Sequence, residues 1–283
     1  MTMSINTNAG AEVAAVAAQR ASAMMDEAML RLSTGKRINS AKDDAAGLAV
    51  ATRMAREIAG LSQSLRNAND AQGLIDTGES ALKEVHTLLL RMREIAVSAS
   101  SDTNTTADRA ALDTEVSALE TEISRIGDQT SWGGINLFTG DYDKATKIRF
   151  HLGPTSSNYI DVTLGVVSIG AKGSDLQGSL SLTGSVTTRA NATAYMGGID
   201  AAISIISGRR GNFGAVSNRL TSAISNLENM KASMITAKGQ VEDANYAEET
   251  AKLARAQILM QAATAMLAQA NASKNATLKL VTG

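Results

Sequence analysis

Apolar residues spaced alternately three and four apart recur in five stretches of this 283-residue chain, and that spacing restricts its fold more than any other feature. Side chains three and four residues apart share one face of an α-helix, so each stretch predicts a helix that buries a stripe against a neighbour. The first row is Ala14, Ala17, Ala21, Met24 and Ala28. Leu82, Val85, Leu89, Met92, Ala96 and Ala99 form the second, and Leu112, Val116, Leu119, Ile123 and Ile126 the third. The fourth is the longest: Phe213, Val216, Leu220, Ala223, Leu227, Met230, Met234, Ala237 and Val241. Its helix is expected to start near Ala190, because Ile199, Ala202, Ile203 and Ile206 already keep the spacing. Gly208, Gly211 and Gly214 oppose that continuity, each costing about 1 kcal/mol against alanine. Leu253, Ala256, Met260, Ala263, Leu267 and Ala270 close the chain.

Between the helical halves the period falls to two. Ile148, Phe150 and Leu152 alternate against Ile160, Val162 and Leu164 around the turn-prone stretch Pro154 to Asn158, which predicts a β-hairpin. Leu180 and Leu182 suggest a weaker strand, and Gly165, Gly170, Gly173, Gly178 and Gly184 punctuate the region as turns. Ser101 to Thr106 reads as the loop that reverses one helix onto the next. The expected fold is mainly α: a long antiparallel helical coiled-coil rod with a small β-hairpin insert, both chain ends lying at one end of the rod.

Composition removes most catalytic readings. The chain has no cysteine and only two histidines, His86 and His151, so it offers no disulfide framework, thiol nucleophile or cysteine zinc site. His151 alternates with Lys147 and Arg149 on the polar side of the hairpin, and His86 has no second histidine one turn away. Asp43 and Asp44 could be an acid pair for catalysis, but no base, nucleophile or metal-ligand cluster accompanies them, and adjacent carboxylates fit a helix start. Aromatic residues make up 3% of the chain, which suits helices packed closely along their length. A formal net charge of -1 with scattered basic pairs gives no stripe for nucleic acid. No stretch reaches membrane-spanning length, and the start lacks the basic and apolar regions of a secretory signal. Taken alone, composition predicts a soluble cytoplasmic protein without cofactor or metal.

Specific runs carry a family resemblance. Ile5 to Asn8, Arg31 to Gly35, the run Arg37-Ile38-Asn39-Ser40-Ala41-Lys42-Asp43-Asp44-Ala45-Ala46-Gly47, Arg66 to Asp70 and Arg93-Glu94 are similar to the amino-terminal pattern of bacterial flagellins. Ala215-Val216, Asn218-Arg219, Ala223-Ile224, Asn226-Leu227, Glu242 to Ala247 and Arg255 to Leu259 resemble the carboxy-terminal pattern. The resemblance covers roughly residues 4–140 and 195–280 and fades in the β insert. It implies a non-enzymatic, extracellular filament subunit for motility, exported through the flagellum without a cleaved signal peptide, which corrects the cytoplasmic expectation. It also implies an inner-core coiled coil formed by residues 1–41 and 242–283, and an outer-core helical domain at 42–241 with its β insert at about 132–188. The outer domains of larger relatives are reduced or absent here, leaving at most a small protrusion at about 166–188.

The implied partners are other copies of the chain, the flagellar export apparatus and chaperone, and the hook-associated and cap proteins. The stretch Arg91 to Val97 with Glu115 resembles the flagellin surface recognised by an animal Toll-like receptor. Arg91 and Glu115 match the contact residues of the family, while Ile95 replaces the usual leucine and Leu90 the usual glutamine. The same face is expected to pack neighbouring subunits. Asn104, Asn191, Asn271 and Asn275 each begin an Asn-x-Ser/Thr sequence, read as coincidence in a chain of this composition. The hook-filament junction protein and a translocated effector remain as alternatives, and the intact run from Arg37 to Asp44 favours flagellin.

Overall fold

Among the described residues five helices and two small hairpins follow one another along the chain. They are α1 (Ala9–Thr34), α2 (Ala45–Ala99), α3 (Thr106–Gln129), β1 (Ser131–Trp132), β2 (Ile135–Asn136), β3 (Lys147–His151), β4 (Tyr159–Thr163), α4 (Arg189–Glu242) and α5 (Tyr246–Thr282). The computed structural model describes residues 7–139, 147–153, 158–164, 167, 182 and 184–282. Ile5, Asn6, the hairpin turn at 154–157, Leu180, Gly165, Gly170, Gly173 and Gly178 lie outside the described residues. The packing divides into two units, one of Met1–Ile58 with Ser233–Gly283 and one of Ala59–Ala232.

In the first unit α1 starts at Asn8, whose side-chain oxygen accepts from the Ala11 N–H at 3.1 Å. It stops at Gly35, which takes φ 69° and donates its N–H to Arg31 O at 2.9 Å, a left-handed cap that glycine adopts without strain. α1 runs antiparallel to α5, with Asn8 Nδ2 3.4 Å from Ala270 O and Arg31 Nη1 3.4 Å from Glu249 Oε1. The buried seam is Ala14, Ala21 and Ala28 on α1 against Glu249, Ala256 and Ala263 on α5, a seven-residue repeat on each helix. Half-buried Ala18 and Met25 fill the intervening α1 positions, and Leu253, Met260 and Leu267 those of α5. The expected α1 row is corrected here: Ala17 and Met24 are exposed, because the seam steps four residues from Ala14 before it steps three.

The two connections of this unit are clasped together. Lys36 and Asp243 form an antiparallel β-bridge, Arg37 N–H donates to Glu242 O at 2.7 Å, and Ala244 N–H donates to Gly35 O at 3.0 Å. Lys36 Nζ also reaches Glu242 Oε1, and Lys238 Nζ lies 3.2 Å from Glu242 Oε2.

The second unit encloses the main core, built from α2, α3, α4 and the hairpins. Leu82, Val85, Leu89, Met92, Ala96 and Ala99 are all buried, as their spacing predicts, and meet Val116, Ile123, Ile199, Ile206, Phe213 and Leu220. The expected hairpin forms: Ile148 pairs with Val162 and Phe150 with Ile160, which puts Val162 inside and leaves His151 on the outer side. α3 begins with a capping box in which Thr105 and Asp108 satisfy each other's backbone N–H groups. Between α3 and β3 lies a hairpin that alternation does not reveal, β1–β2, turned by Gly133 at φ 59° and Gly134 at φ 83°. α4 is one continuous helix, and Gly208, Gly211 and Gly214 lie on its exposed face with open space where a side chain would stand.

Candidate functional site

Two surfaces stand out among the described residues, a charged patch in one unit and exposed apolar side chains in the other. The charged patch centres on Arg91, on the outer side of α2. Its guanidinium donates to Glu115 Oε1 through Nε at 3.0 Å and Nη2 at 2.8 Å, and through Nη1 to Glu94 Oε2 at 3.1 Å. Hydrogen bonds from Arg91 to Glu115, then to Glu94, hold its pKa above the ordinary arginine range. Beside it Arg93 Nε donates to Asp200 Oδ1 at 2.6 Å. All of these groups face water, so their pairing orients them and adds little stability.

The structure thus brings Arg91 and Glu115 together but places Ile95 elsewhere. At 2% exposure Ile95 belongs to the core and offers no contact surface, because it falls on the inward side of α2 with Met92 and Ala96. The apolar part of the outer face comes from Leu90, noted above only as a departure from the family pattern, and Val97, at 44% and 47% exposure. They flank Glu94 at helical spacing, on the side opposite the buried row, and that phase was available in the sequence.

The apolar face lies on the outer sides of α1 and α5. Val13, Met24, Met29 and Leu30 on α1 and Ile258, Leu259 and Met266 on α5 are all exposed, Val13 at 70% and Ile258 at 66%. A groove of about 430 Å³ runs between the two helices, lined by Val13, Ala17, Leu259, Ala262 and Met266. So many large apolar side chains on one two-helix layer mark a surface for another protein surface.

Asp43 and Asp44, weighed above as an acid pair, are both engaged with backbone N–H groups. Asp43 accepts from the Ser40 and Asn39 N–H groups at 2.8 and 3.0 Å, which lowers its pKa, and Asp44 caps α2 by accepting from Gly47 N–H at 2.8 Å. The acid pair is a turn and a helix cap. Among the described residues no group of histidines, cysteines and carboxylates could hold a metal, and no helix is long and apolar enough to cross a membrane.

Comparison with known proteins gives the family of the chain. The bacterial flagellin N-terminal helical region matches residues 5–143, and the bacterial flagellin C-terminal helical region matches residues 196–281. A flagellin of Halalkalibacterium halodurans is 39% identical over 255 residues, covering 90% of this chain and 91% of the relative. Polar flagellin F of Vibrio parahaemolyticus is 27% identical over 379 aligned positions, covering 99% of this chain and 100% of the relative. That alignment exceeds the 283 residues of this chain, so the Vibrio protein carries insertions relative to it. In fold, the chain superposes with a TM-score of 0.59 on a structure described as a flagellar hook-associated protein of Vibrio parahaemolyticus, at 17% identity, over 71% of this chain and 100% of that one. The chain belongs to the bacterial flagellin family. It is a structural, non-enzymatic subunit of the extracellular flagellar filament, and the long antiparallel helices with small central hairpins are the flagellin-like fold.

Proposed function

We propose that the polymer is built through the outer faces of α1 and α5, with the Arg91–Glu115 face as a second packing surface. The carrying observation is the run of exposed apolar side chains from Val13 to Leu30 and from Ile258 to Met266. Such a face loses its contact with water when equivalent helices of neighbouring copies surround it, and a helical array of identical subunits supplies those helices. On this reading residues 1–41 and 242–283 are the two halves of the inner core of the filament. Residues 42–241, with the β insert at about 132–188, are its outer core. Arg91 and Glu115 serve twice, in packing between subunits and as the contact of a host Toll-like receptor with the free subunit, while Ile95 supports that face from beneath. The export apparatus and chaperone, and the hook-associated and cap proteins, are the further partners this role requires.

Electron microscopy of purified, seeded protein tests the proposal. Wild-type chains are expected to form long filaments. Val13→Asp and Ile258→Asp, which bring charge onto the proposed buried faces, are expected to abolish them while unit Ala59–Ala232 keeps its fold. Normal filaments from both variants overturn the assignment.

A further inference from the structure

The chain has 12 methionines and no cysteine, so thioethers are its readiest targets for a two-electron oxidant. Their surroundings differ sharply. Met92 is 0% exposed in the core of the second unit, whereas Met266, on α5, is 63% exposed. Met266 lines the groove between α1 and α5 with Val13, Ala17, Leu259 and Ala262, a wall without a charged donor. Met24, 45% exposed, lines a different cleft of the same unit, where Arg31, Lys252 and Arg255 stand beside it.

We infer that Met266 is an oxidation site that decides whether a chain can join the polymer, with a peroxide as the oxidant. This rests on the reading that neighbouring copies cover the outer faces of α1 and α5. The sulfur lone pair attacks one oxygen of hydrogen peroxide, an S–O bond forms and the O–O bond breaks. The departing hydroxide takes up the remaining peroxide proton and leaves as water, so sulfur loses the two electrons that the peroxide gains. The product is a sulfoxide, whose oxygen is a strong hydrogen-bond acceptor. In a free chain that oxygen faces water and costs little. In the polymer it loses water against walls that are apolar apart from the Gln269 amide and the Ser273 hydroxyl, and a polar group with so few partners is unfavourable there. At Met24 the neighbouring guanidinium and ammonium groups can donate to a sulfoxide, so oxidation there is tolerated. Oxidation at Met266 is also reversible, because sulfoxide reductases return the thioether at the expense of a dithiol, which becomes a disulfide as the oxygen leaves in water.

The test treats full-length monomer with hydrogen peroxide, removes the excess with catalase, maps sulfoxides by peptide mass spectrometry and follows seeded polymerisation by light scattering. Met266 is expected to oxidise in monomers and not in filaments treated alike, while Met92 stays reduced in both. Treated wild-type chains are expected to need at least about tenfold more protein to polymerise, equivalent to about 1.4 kcal/mol. In a background of Met29→Leu, which removes the other exposed thioether on this face, Met266→Leu keeps the apolar volume and is expected to polymerise normally after peroxide, whereas Met24→Leu stays inhibited. Equal oxidation of Met266 in filaments and monomers overturns the covered-face reading and this inference with it. Protection in filaments, combined with unimpaired polymerisation of oxidised wild-type chains, overturns the inference alone. Should Met266→Leu not assemble, treating oxidised wild-type chains with sulfoxide reductases of both stereospecificities decides the matter. Assembly must return as the Met266 sulfoxide disappears, and failure to return overturns the inference.

Discussion

Lys36 Nζ sits 2.5 Å from Glu242 Oε1, joining the α1–α2 connection to the last residue of α4. The hydrogen bond from Lys36, with further help from Lys238, holds the Glu242 carboxyl below the usual glutamate range although Glu242 is buried. A carboxyl whose pKa is depressed by folding contributes stability that is complete above the unfolded value of about 4.3 and is lost as pH falls through the folded one. Filaments are therefore expected to loosen below about pH 4.3, and Glu242→Gln to weaken them at neutral pH while flattening the acid dependence between pH 5 and 3. Light scattering of filaments during acid titration checks this, and an unchanged acid profile in the variant removes Glu242 from the explanation.

Arg91→Ala is expected to reduce receptor signalling by monomers and to weaken filaments while leaving the urea midpoint of the monomer nearly unchanged. The reason is that Arg91, Glu94 and Glu115 all face water, where ion pairs contribute little to folding. A wild-type monomer that gives no signal eliminates the receptor role and leaves packing alone.

Ile95→Ala is expected to behave in the opposite way. Truncating a side chain at 2% exposure costs about 2–5 kcal/mol of folding stability. Loss of signalling should then track loss of fold, read from the fluorescence of the single tryptophan, Trp132. Trp132 is a local reporter because its ring lies over Gly73, where an added methyl would come within 2.7 Å of it.

Gly127→Ala tests the packing of α3 against Val167. An added Cβ at Gly127 would stand 2.0 Å from the Val167 carbonyl oxygen, backbone that cannot simply rotate away. The expected loss is about 1–3 kcal/mol, visible as a lower urea midpoint.

The long core rows of α2, α3 and α4 were legible in the sequence because leucine, isoleucine and phenylalanine at one phase face small or polar residues at the others. The phase of α1 was not. Its two candidate phases share Ala14, Ala21 and Ala28 and differ only by choosing Ala17 or Ala18 and Met24 or Met25, so adjacent identical residues make the two equivalent until a partner helix is in place. The β1–β2 hairpin escaped for a different reason: strands of two residues carry no period, and only Gly133-Gly134 signals the turn. For the candidate site, motif resemblance named Arg91, Ile95 and Glu115 together, and the fold pairs Arg91 with Glu115 while burying Ile95. The helical phase of Met92 and Ala96 would have sent Ile95 inward.

The α1–α5 pair itself is expected to be marginal in a single free chain. Its fully buried positions are mostly alanine, which has little surface to hide, and Met25, Leu253, Met260 and Leu267 between them are only half-buried. Hydrogen exchange should show weak protection of the amides at 14–28 and 253–270 in monomers and strong protection in filaments. Removing residues 253–283 should leave a folded unit Ala59–Ala232 that does not polymerise. Strong protection in the monomer would show that the ends fold without partners.

The hydrogen bonds from Asn8 to Ala270 O and Asn271 Oδ1, both 3.4 Å, have a practical reach beyond holding two helices in register. They bring the beginning of α1 and the late turns of α5 to one address in the folded subunit. A label inserted beside Asn8 therefore competes for the same space as one inserted beside Asn271, and moving it between these two sites gives an engineer no relief from crowding.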